Sequence, residues 1–328
     1  MKRRVSSHLE NWKSLIPFRI SRHTWDDFPC VVCEIEQDGI IGRGEALGVY
    51  YLGETEKTML GQLDSIATEL GNGANRHDLL KLLPAGGARC AADAALWDLE
   101  AQLSGVSAWA AAGVRADPVE TVFTIGLEAE PEDMAARAAA ASDLTLFKIK
   151  LNADRPVERI AAIREARPDA RLVVDVNEGW EFEQLIEVAP LLADLGVSMI
   201  EQPLPRGSDE VLEGYASPLP LCADESCQHI GELGQAARRY QMINIKLDKC
   251  GGLTHGLDLA KAARDKNLGL MVGCMGGTSL CMAPMHVLAQ LADFVDIDGP
   301  LLLKNDRLGG LVYERGKVTL PKRRFWGT

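Results

Sequence analysis

Five charged side chains stand out because each lies near the end of a short apolar run and because their spacing is regular. An interval of 22 to 26 residues separates each one from the next. That interval fits one strand followed by one helix, and such repeats form parallel barrels whose strand ends meet at one face. We therefore predict that the five side chains surround a single chemical site. They are Lys150, Asp175, Glu201, Asp224 and Lys246.

The acids among these residues predict a metal site. Asp175, Glu201 and Asp224 end three successive predicted strands, where their carboxylates would repel one another. A hard divalent cation with oxygen ligands relieves this repulsion, and Mg²⁺ also keeps coordination positions for water or substrate. Asn177 lies two residues after the first acid, and its side chain is expected either to support the metal ligands or to cap the next helix.

The lysines predict proton transfer. If the strand that ends at Gly126 is the first, Lys150 lies on the second strand and Lys246 on the sixth, which are opposite each other in a ring of eight. A carbon held between two amines, beside a carboxylate on a metal, can lose a proton to one amine and regain one from the other. Lys148 shares a strand face with Lys150, because side chains alternate, and supplies a positive charge that stabilises an enediolate.

Other polar residues lie near these positions in the sequence. Asp296 and Asp298 alternate on one face of the predicted eighth strand, and two carboxylates on one face predict a cation-binding site. Asp248 is placed to orient one of the two lysines beside it through a hydrogen bond. Thr124, in the first strand, is expected either to contact the substrate or only to pair within the sheet.

These motifs resemble those of the enolase superfamily, muconate-lactonizing subgroup, and among its members the dipeptide epimerases. The resemblance covers nearly the whole chain. It implies a modified TIM-type (β/α)7β barrel with an α+β N-terminal capping domain, a Mg²⁺ cofactor and an isomerase that inverts the α-carbon of the C-terminal residue of a dipeptide. The matching segments are Lys148–Lys150, Asp175–Asn177, Ile200–Pro203, Ala223–Ser226, Asn244–Lys249, Gly251–Gly252 and Asp296–Pro300.

The resemblance also implies roles for particular residues. Lys150 and Lys246 would be the two bases, and Asp296 and Asp298 would hold the free α-ammonium group of the substrate. Arg22, in a loop that closes over the barrel in similar enzymes, would hold an acidic side chain. L-Ala-D/L-Glu is therefore the favoured substrate, which would imply a part in peptidoglycan recycling. Similar enzymes are often homo-oligomers, and the resemblance leaves that state open for this chain.

Composition excludes several classes of partner. The net charge is -12 and no long basic run offsets it, which argues against a nucleic-acid or membrane-surface partner. The sequence has no stretch of 18 apolar residues and its first residues do not read as a signal peptide, so a cytoplasmic location is expected. The eight cysteines are expected to be free thiols.

The domain organisation follows from where the strand and helix rhythm begins. Residues 1–115 are predicted to form the capping domain, completed by about 306–328, and residues 116–305 to form the barrel. Within the first part, Asp38-Gly39 predicts a hairpin turn, and the segment 88–103 a helix in which Trp97 packs inward and Asp98 lies at the surface. The segment 311–320 is expected to return to the first domain.

Alternatives remain open within and beyond this family. An N-acylamino acid racemase or another muconate-lactonizing-type enzyme would use the same barrel residues. The segment Cys274–Thr278 follows the predicted seventh strand, where barrels often bind phosphate, and suggests a phosphate-handling metalloenzyme. An acid-sugar dehydratase is disfavoured because position 274 is Cys rather than His. A non-catalytic binding barrel is disfavoured because the lysines and acids are all present.

Overall fold

The N-terminal part of the chain forms an antiparallel sheet. In this computed structural model, which describes residues 2–19 and 24–328, its strands are β1 (Arg4–Arg19), β2 (Thr24–Gln37) and β3 (Ile40–Ala46), in that order across the sheet. Asp38 and Gly39 form the predicted turn between β2 and β3, with φ angles of 55° and 79°. The long strand β1 was not predicted from the sequence.

Helices follow this sheet in the chain, and the longest of them packs closely on β2 and β3. They are α1 (Glu56–Ser65), α2 (Ala67–Gly71), α3 (Arg76–Leu82), α4 (Gly87–Ser104) and α5 (Ala108–Ala111). Close packing of α4 on β3 needs glycine at position 44, because a Cβ there would lie 2.1 Å from the Ala91 carbonyl oxygen. Trp97 is buried as predicted, but the prediction of a surface Asp98 is wrong. Its carboxylate is buried and accepts hydrogen bonds from the N–H groups of Arg43 and Gly327.

A parallel barrel follows, after a short strand. The strands of this region, all of which the structure describes, are β4 (Val119–Glu120), β5 (Phe123–Ile125), β6 (Leu146–Lys150), β7 (Arg171–Asp175), β8 (Val197–Glu201), β9 (Leu221–Ala223), β10 (Met242–Lys246), β11 (Gly269–Gly273) and β12 (Phe294–Asp296). Strands β5 to β12 pair in chain order. The N–H of Val122 donates to the carbonyl of Val295 at 2.8 Å, which joins the first strand to the last.

Helices connect most of the barrel strands. They are α6 (Pro131–Ala140), α7 (Pro156–Ala166), α8 (Phe182–Asp194), α9 (Leu233–Arg239), α10 (Leu247–Cys250), α11 (Leu253–Asp265) and α12 (Ser279–Ala289). A 3₁₀ turn at Glu210–Leu212 replaces a helix between β8 and β9. The predicted barrel with a separate N-terminal domain is thus confirmed. None of the helices in the described ranges has the length and apolar character needed to cross a lipid bilayer.

The C-terminal segment joins both parts of the molecule. Strands β13 (Val312–Glu314) and β14 (Lys317–Thr319) form a hairpin that pairs with β4 at the start of the barrel region. The expectation that 311–320 returns to the first domain is therefore wrong. The final residues of the chain do contact the first domain: the Trp326 indole N–H donates to the Ala94 carbonyl at 2.9 Å. The domain boundaries near 115 and 306 stay a prediction.

The barrel interior is layered because side chains alternate along each strand. An apolar layer fills the barrel at the amino-terminal ends of its strands and separates the polar residues from solvent on that side. Its members are Val122, Leu146, Val173, Met199, Cys222, Met242, Met271 and Phe294. Two residues further along most of these strands the side chains are polar, and they include Lys148, Asp175, Glu201, Asp224, Asn244 and Asp296. The strand period thus places the polar residues at the carboxyl ends of the strands.

Candidate active site

A pocket lies above this polar layer, where the N-terminal domain covers the mouth of the barrel. It holds about 580 Å³ of space between protein atoms, part of it open to solvent. Phe28, Tyr50 and Tyr51 line it from the N-terminal domain. The barrel contributes charged and polar groups: Thr124, Lys148, Lys150, Asn177, Glu225, Lys246, Asp296 and Asp298. The structure therefore brings the two predicted bases and the aspartate pair to one cavity.

Lys148 lies at the centre of the buried charges. Its Nζ is 3.0 Å from Asp175 Oδ2, 2.8 Å from Glu201 Oε2 and 2.8 Å from Asp296 Oδ2. Burial opposes its charge, but the surrounding carboxylates prevail and raise the pKa of Lys148 well above its ordinary value. An ammonium group thus occupies the space between two of the predicted metal ligands.

Lys150 has two oxygen partners. Its Nζ donates to Asp175 Oδ2 at 2.6 Å and to Asn177 Oδ1 at 3.0 Å. Asn177 has a left-handed φ of 48°, and its own N–H donates to Asp175 Oδ1 at 3.0 Å. Asn177 therefore supports both the predicted base and the predicted metal ligand. The alternative of helix capping is wrong, since α8 begins only at Phe182.

Asp224 is held between two lysines. Lys246 Nζ donates to its Oδ2 at 2.8 Å and Lys249 Nζ to its Oδ1 at 2.5 Å. Although burial works against ionisation, these two ammonium groups hold the pKa of Asp224 well below its ordinary value. Lys249 is one of the two lysines beside Asp248 in the sequence. The side chain is buried, and it also donates to the Asp224 carbonyl at 2.6 Å.

Asp248 has a different position from the one predicted. Its Oδ1 accepts hydrogen bonds from the N–H groups of Leu47 at 2.9 Å and Gly48 at 2.8 Å, and not from the neighbouring lysines, which are bonded to Asp224. Burial raises the pKa of Asp248 to about 7. Asp248 therefore ties the barrel to the loop that carries Tyr50 and Tyr51, rather than orienting a lysine.

The donor set fits a hard divalent cation. Asp175, Glu201 and Asp224 are fully buried and offer only oxygen ligands. Glu201 Oε1 accepts a hydrogen bond from Asn244 at 2.7 Å. Its Oε2 makes no hydrogen bond within the described part of the chain, although Lys148 is close enough for an ion pair. Asn244 was not predicted as a site residue, although it lies two residues before Lys246 and therefore on the same face of β10.

The acids contact ammonium groups rather than one common point. Within the described ranges, three residues that could each offer a ligand atom to a metal have these atoms within 4.8 Å of one another. They are Cys274, Asp296 and Asp298. Asp298 Oδ2 accepts a hydrogen bond from the Thr124 N–H at 2.7 Å. Burial, and then the neighbouring Asp296, raise the pKa of Asp298 to about 7. Two close carboxyl groups facing a cavity suit a cationic group of a ligand, as the sequence predicts.

The loop after β11 does not offer a phosphate site. Glu45 Oε1 accepts the Thr278 N–H at 2.7 Å, and Asp306 Oδ1 accepts the Ser279 N–H at 2.8 Å. These amides begin α12, and carboxylates already occupy the place where a phosphate would bind. The phosphate-handling alternative therefore loses its structural support.

Two further predictions concern residues around the site. Arg22 lies outside the described residues, so its role stays a prediction. The eight cysteines are all unpaired thiols, as expected.

Glu225 lines the pocket beside Asp224, and burial raises its pKa to about 8.

Two family models match the chain. Residues 2–113 match the mandelate racemase / muconate lactonizing enzyme N-terminal domain, and residues 132–324 match the enolase C-terminal domain-like family. The L-Ala-D/L-Glu epimerase of Escherichia coli K12 is 41% identical over 97% of this chain and 100% of its own length. An N-acetyl-D-glutamate racemase from a Pseudoalteromonas species is 41% identical over 76% of this chain and 79% of its own length.

Solved structures agree with these matches. An enolase family member from Agrobacterium tumefaciens with homology to dipeptide epimerases, with sodium and L-Ala-L-Glu bound, has a TM-score of 0.96 at 40% identity and covers 99% of this chain and 100% of its own. A dipeptide epimerase from Methylococcus capsulatus, complexed with Mg and L-Arg-D-Lys, has a TM-score of 0.90 at 30% identity and covers 98% of each chain. The resemblance predicted from the motifs is confirmed, and the chain belongs to the mandelate racemase / muconate lactonizing enzyme family of the enolase superfamily.

Proposed function

We propose that this protein is a Mg²⁺-dependent dipeptide epimerase, an isomerase that inverts the α-carbon of the C-terminal residue, with L-Ala-D/L-Glu as its substrate pair. One observation carries the proposal. Lys150 on β6 and Lys246 on β10 lie four strands apart in the ring of eight, with the three buried acids at the carboxyl ends of the strands between them. A two-base proton transfer needs one base on each side of the α-carbon, and this opposed placement of the two lysines provides them.

The charges in the pocket predict how a dipeptide lies in it. Lys148 offers a positive charge to the α-carboxylate at the acid-rich side. Asp296, the last residue of β12, and Asp298, two residues further on, offer negative charge to the free α-ammonium group. A dipeptide that spans these two positions carries its second α-carbon between the two bases.

The two lysines carry the proton in both directions. One lysine, in its neutral form, takes the α-proton from one face, and the other, as an ammonium, returns a proton to the opposite face. Each lysine is the base for one epimer and the acid for the other. Asp175, Glu201 and Asp224 would hold Mg²⁺, which when bound supplies Lewis-acid stabilisation of the negative charge that develops on the carboxylate. Lys148 adds a second positive charge on the same oxygens.

The relatives support this proposal and also a second candidate. The matched epimerases act on dipeptides, whereas the Pseudoalteromonas relative is an N-acetyl-D-glutamate racemase. Both substrates contain glutamate, but an N-acetyl group has no ammonium for Asp296 and Asp298 to bind. The paired carboxylates therefore favour the dipeptide. A non-catalytic barrel is disfavoured because all the lysines and acids are present and because Lys150 and Lys246 line one pocket.

Proton NMR in D₂O tests the two candidates together. The enzyme with Mg²⁺ is mixed with L-Ala-L-Glu or with N-acetyl-L-glutamate, and the α-hydrogen signal and the new epimer are followed. We expect rapid loss of the glutamyl α-hydrogen and appearance of L-Ala-D-Glu, no activity after metal removal with EDTA, and much slower racemisation of the N-acetyl compound. The reverse preference would favour the racemase, and no exchange in either substrate would overturn both.

The same proposal includes finer expectations. A cytoplasmic location and a part in peptidoglycan recycling follow from an L-Ala-D/L-Glu substrate. A homo-oligomeric state, typical of similar enzymes, is measurable by light scattering on the purified protein. Nucleic acid and membrane partners are not expected, because the net charge is -12.

A further inference from the structure

Tyr51 lines the pocket, and its hydroxyl group has no hydrogen-bond partner in the part of the chain that the structure describes. Its oxygen is buried and makes no hydrogen bond with any group in the described ranges of the chain. A buried hydroxyl that has left water and found no partner costs free energy. Such a group, at the wall of a cavity, is satisfied when a ligand supplies the missing partner. The hydroxyl of Tyr51 is therefore a candidate for contact with substrate.

The loop that carries Tyr51 is fixed in place. Asp248 holds its first amides, and Glu54 Oε2 accepts the Val49 N–H at 2.8 Å. A 3₁₀ turn at Tyr50–Leu52 follows, and the ring of Tyr50 packs edge-on against that of Tyr51 with centroids 5.3 Å apart. These contacts fix the loop at the pocket wall and do not involve the Tyr51 hydroxyl.

The charges around Tyr51 place it on the Lys246 side of the pocket. Asp224, Lys246 and Glu225 are the charged groups whose fields act most strongly on its phenol. Burial raises the pKa of Tyr51 well above its ordinary value, so the hydroxyl keeps its proton at neutral pH. It is therefore available as a hydrogen-bond donor.

The position of the substrate's second side chain follows by elimination. Around the second α-carbon, the carboxylate lies towards Lys148, the peptide nitrogen towards the aspartate pair, and the hydrogen towards Lys150 or Lys246. The side chain must then point to the remaining direction, the mouth of the barrel. The N-terminal domain covers that mouth, and Phe28, Tyr50 and Tyr51 are the residues through which it lines the pocket.

We propose that the Tyr51 hydroxyl donates a hydrogen bond to a distal oxygen of the substrate's second side chain, and that it thereby selects dipeptides with an acceptor such as a glutamyl carboxylate at that position. The inference rests on the proposed function. It differs from the prediction for Arg22, because it concerns a neutral donor in a described loop that was not identified from the sequence.

The test compares wild-type enzyme with Y51F on two substrates of the same length. L-Ala-L-Glu carries the distal oxygens, and L-Ala-L-norvaline has the same carbon chain without them. We expect Y51F to lower kcat/KM for L-Ala-L-Glu about tenfold, the size of one lost hydrogen bond, and to leave kcat/KM for L-Ala-L-norvaline unchanged. In the absence of substrate the melting temperature of Y51F should equal or exceed that of wild type, because the variant removes an unpaired buried group.

A matched control is Y240F. The Tyr240 hydroxyl is also buried but donates to Asp209 Oδ2 at 2.7 Å, so its removal should lower the melting temperature without changing the ratio of the two kcat/KM values. Equal losses on both substrates in Y51F, or a lower melting temperature, would overturn the inference alone. A wild-type enzyme that turns over neither dipeptide would overturn the proposed function and this inference with it.

Discussion

The buried carboxyl group of Asp248 provides a prediction in which stability and pH are linked. Its Oδ1 accepts both amide hydrogen bonds, whereas its Oδ2 has no hydrogen-bond partner in the described ranges. Asp248→Asn therefore keeps the acceptor oxygen and removes only the charge. Asp248→Ala removes the acceptor as well. The two variants separate the cost of a buried charge from the value of the two hydrogen bonds.

The magnitude follows from the pKa of this group. Burial raises the pKa of Asp248 from an ordinary 3.8 to about 7, so between these values the folded state binds a proton that the unfolded state has lost. The free energy of unfolding of wild type should therefore fall as pH rises through this window, by about 4 kcal/mol in total. Above about pH 7 this contribution should be constant. Asp248→Asn lacks it at every pH.

Urea denaturation followed by tryptophan fluorescence measures the difference. The range from pH 5.5 to 8 avoids the isoelectric point near 5.1. Across it, the stability of Asp248→Asn relative to wild type should increase by about 2 kcal/mol. Asp248→Ala should be less stable than Asp248→Asn at each pH by about 2 to 5 kcal/mol, because two buried N–H groups lose their acceptor.

The same variants test the coupling of this contact to the pocket. Asp248→Ala should reduce kcat/KM at least tenfold because the loop with Tyr51 loses its attachment to the barrel, while Asp248→Asn should stay near wild type. A wild-type protein whose stability changes with pH in parallel with Asp248→Asn would refute the raised pKa. Equal activity of Asp248→Ala and wild type would refute the role of the contact in positioning the loop.

Three further predictions concern the bases, the ammonium site and the pocket wall. Lys246→Ala should abolish epimerisation but retain exchange of the α-hydrogen of one epimer with D₂O through Lys150, and full activity by NMR would contradict the two-base assignment. Asp298→Asn should raise KM for L-Ala-L-Glu about tenfold without affecting N-acetyl-L-glutamate, because only the dipeptide has an ammonium group; a parallel change in steady-state assays would count against that role. Gly276→Ala should lower the melting temperature and raise KM, since the residue has a φ of 118° and an added Cβ would lie 2.7 Å from Phe28 Cε1; an unchanged melt would show that the loop adapts.

Much of the barrel and of the polar layer could be predicted from the sequence, because both depend on short-range periodicity. Alternation along β6 places Lys148 and Lys150 on one face, and the recurrence of strand and helix brings Lys246 to the opposite side of the ring. Both the alternation and the repeat can be recognised from short segments of the sequence. The strand β1 escaped prediction because its edge position and partly exposed residues leave only a weak apolar pattern.

Contacts between distant parts of the chain have no local signal, and only the tertiary structure decided them. Asp248 lies two residues after a predicted base, which suggested a lysine partner, yet its hydrogen bonds go to amides about 200 residues away. Glu45 similarly reaches Thr278 across 233 residues and closes the place where a phosphate was considered. The sequence by itself determined which chemical groups lie at the strand ends, since backbone periodicity sets their direction. The packing of the N-terminal domain on the barrel determined which of those groups remain free to meet a ligand.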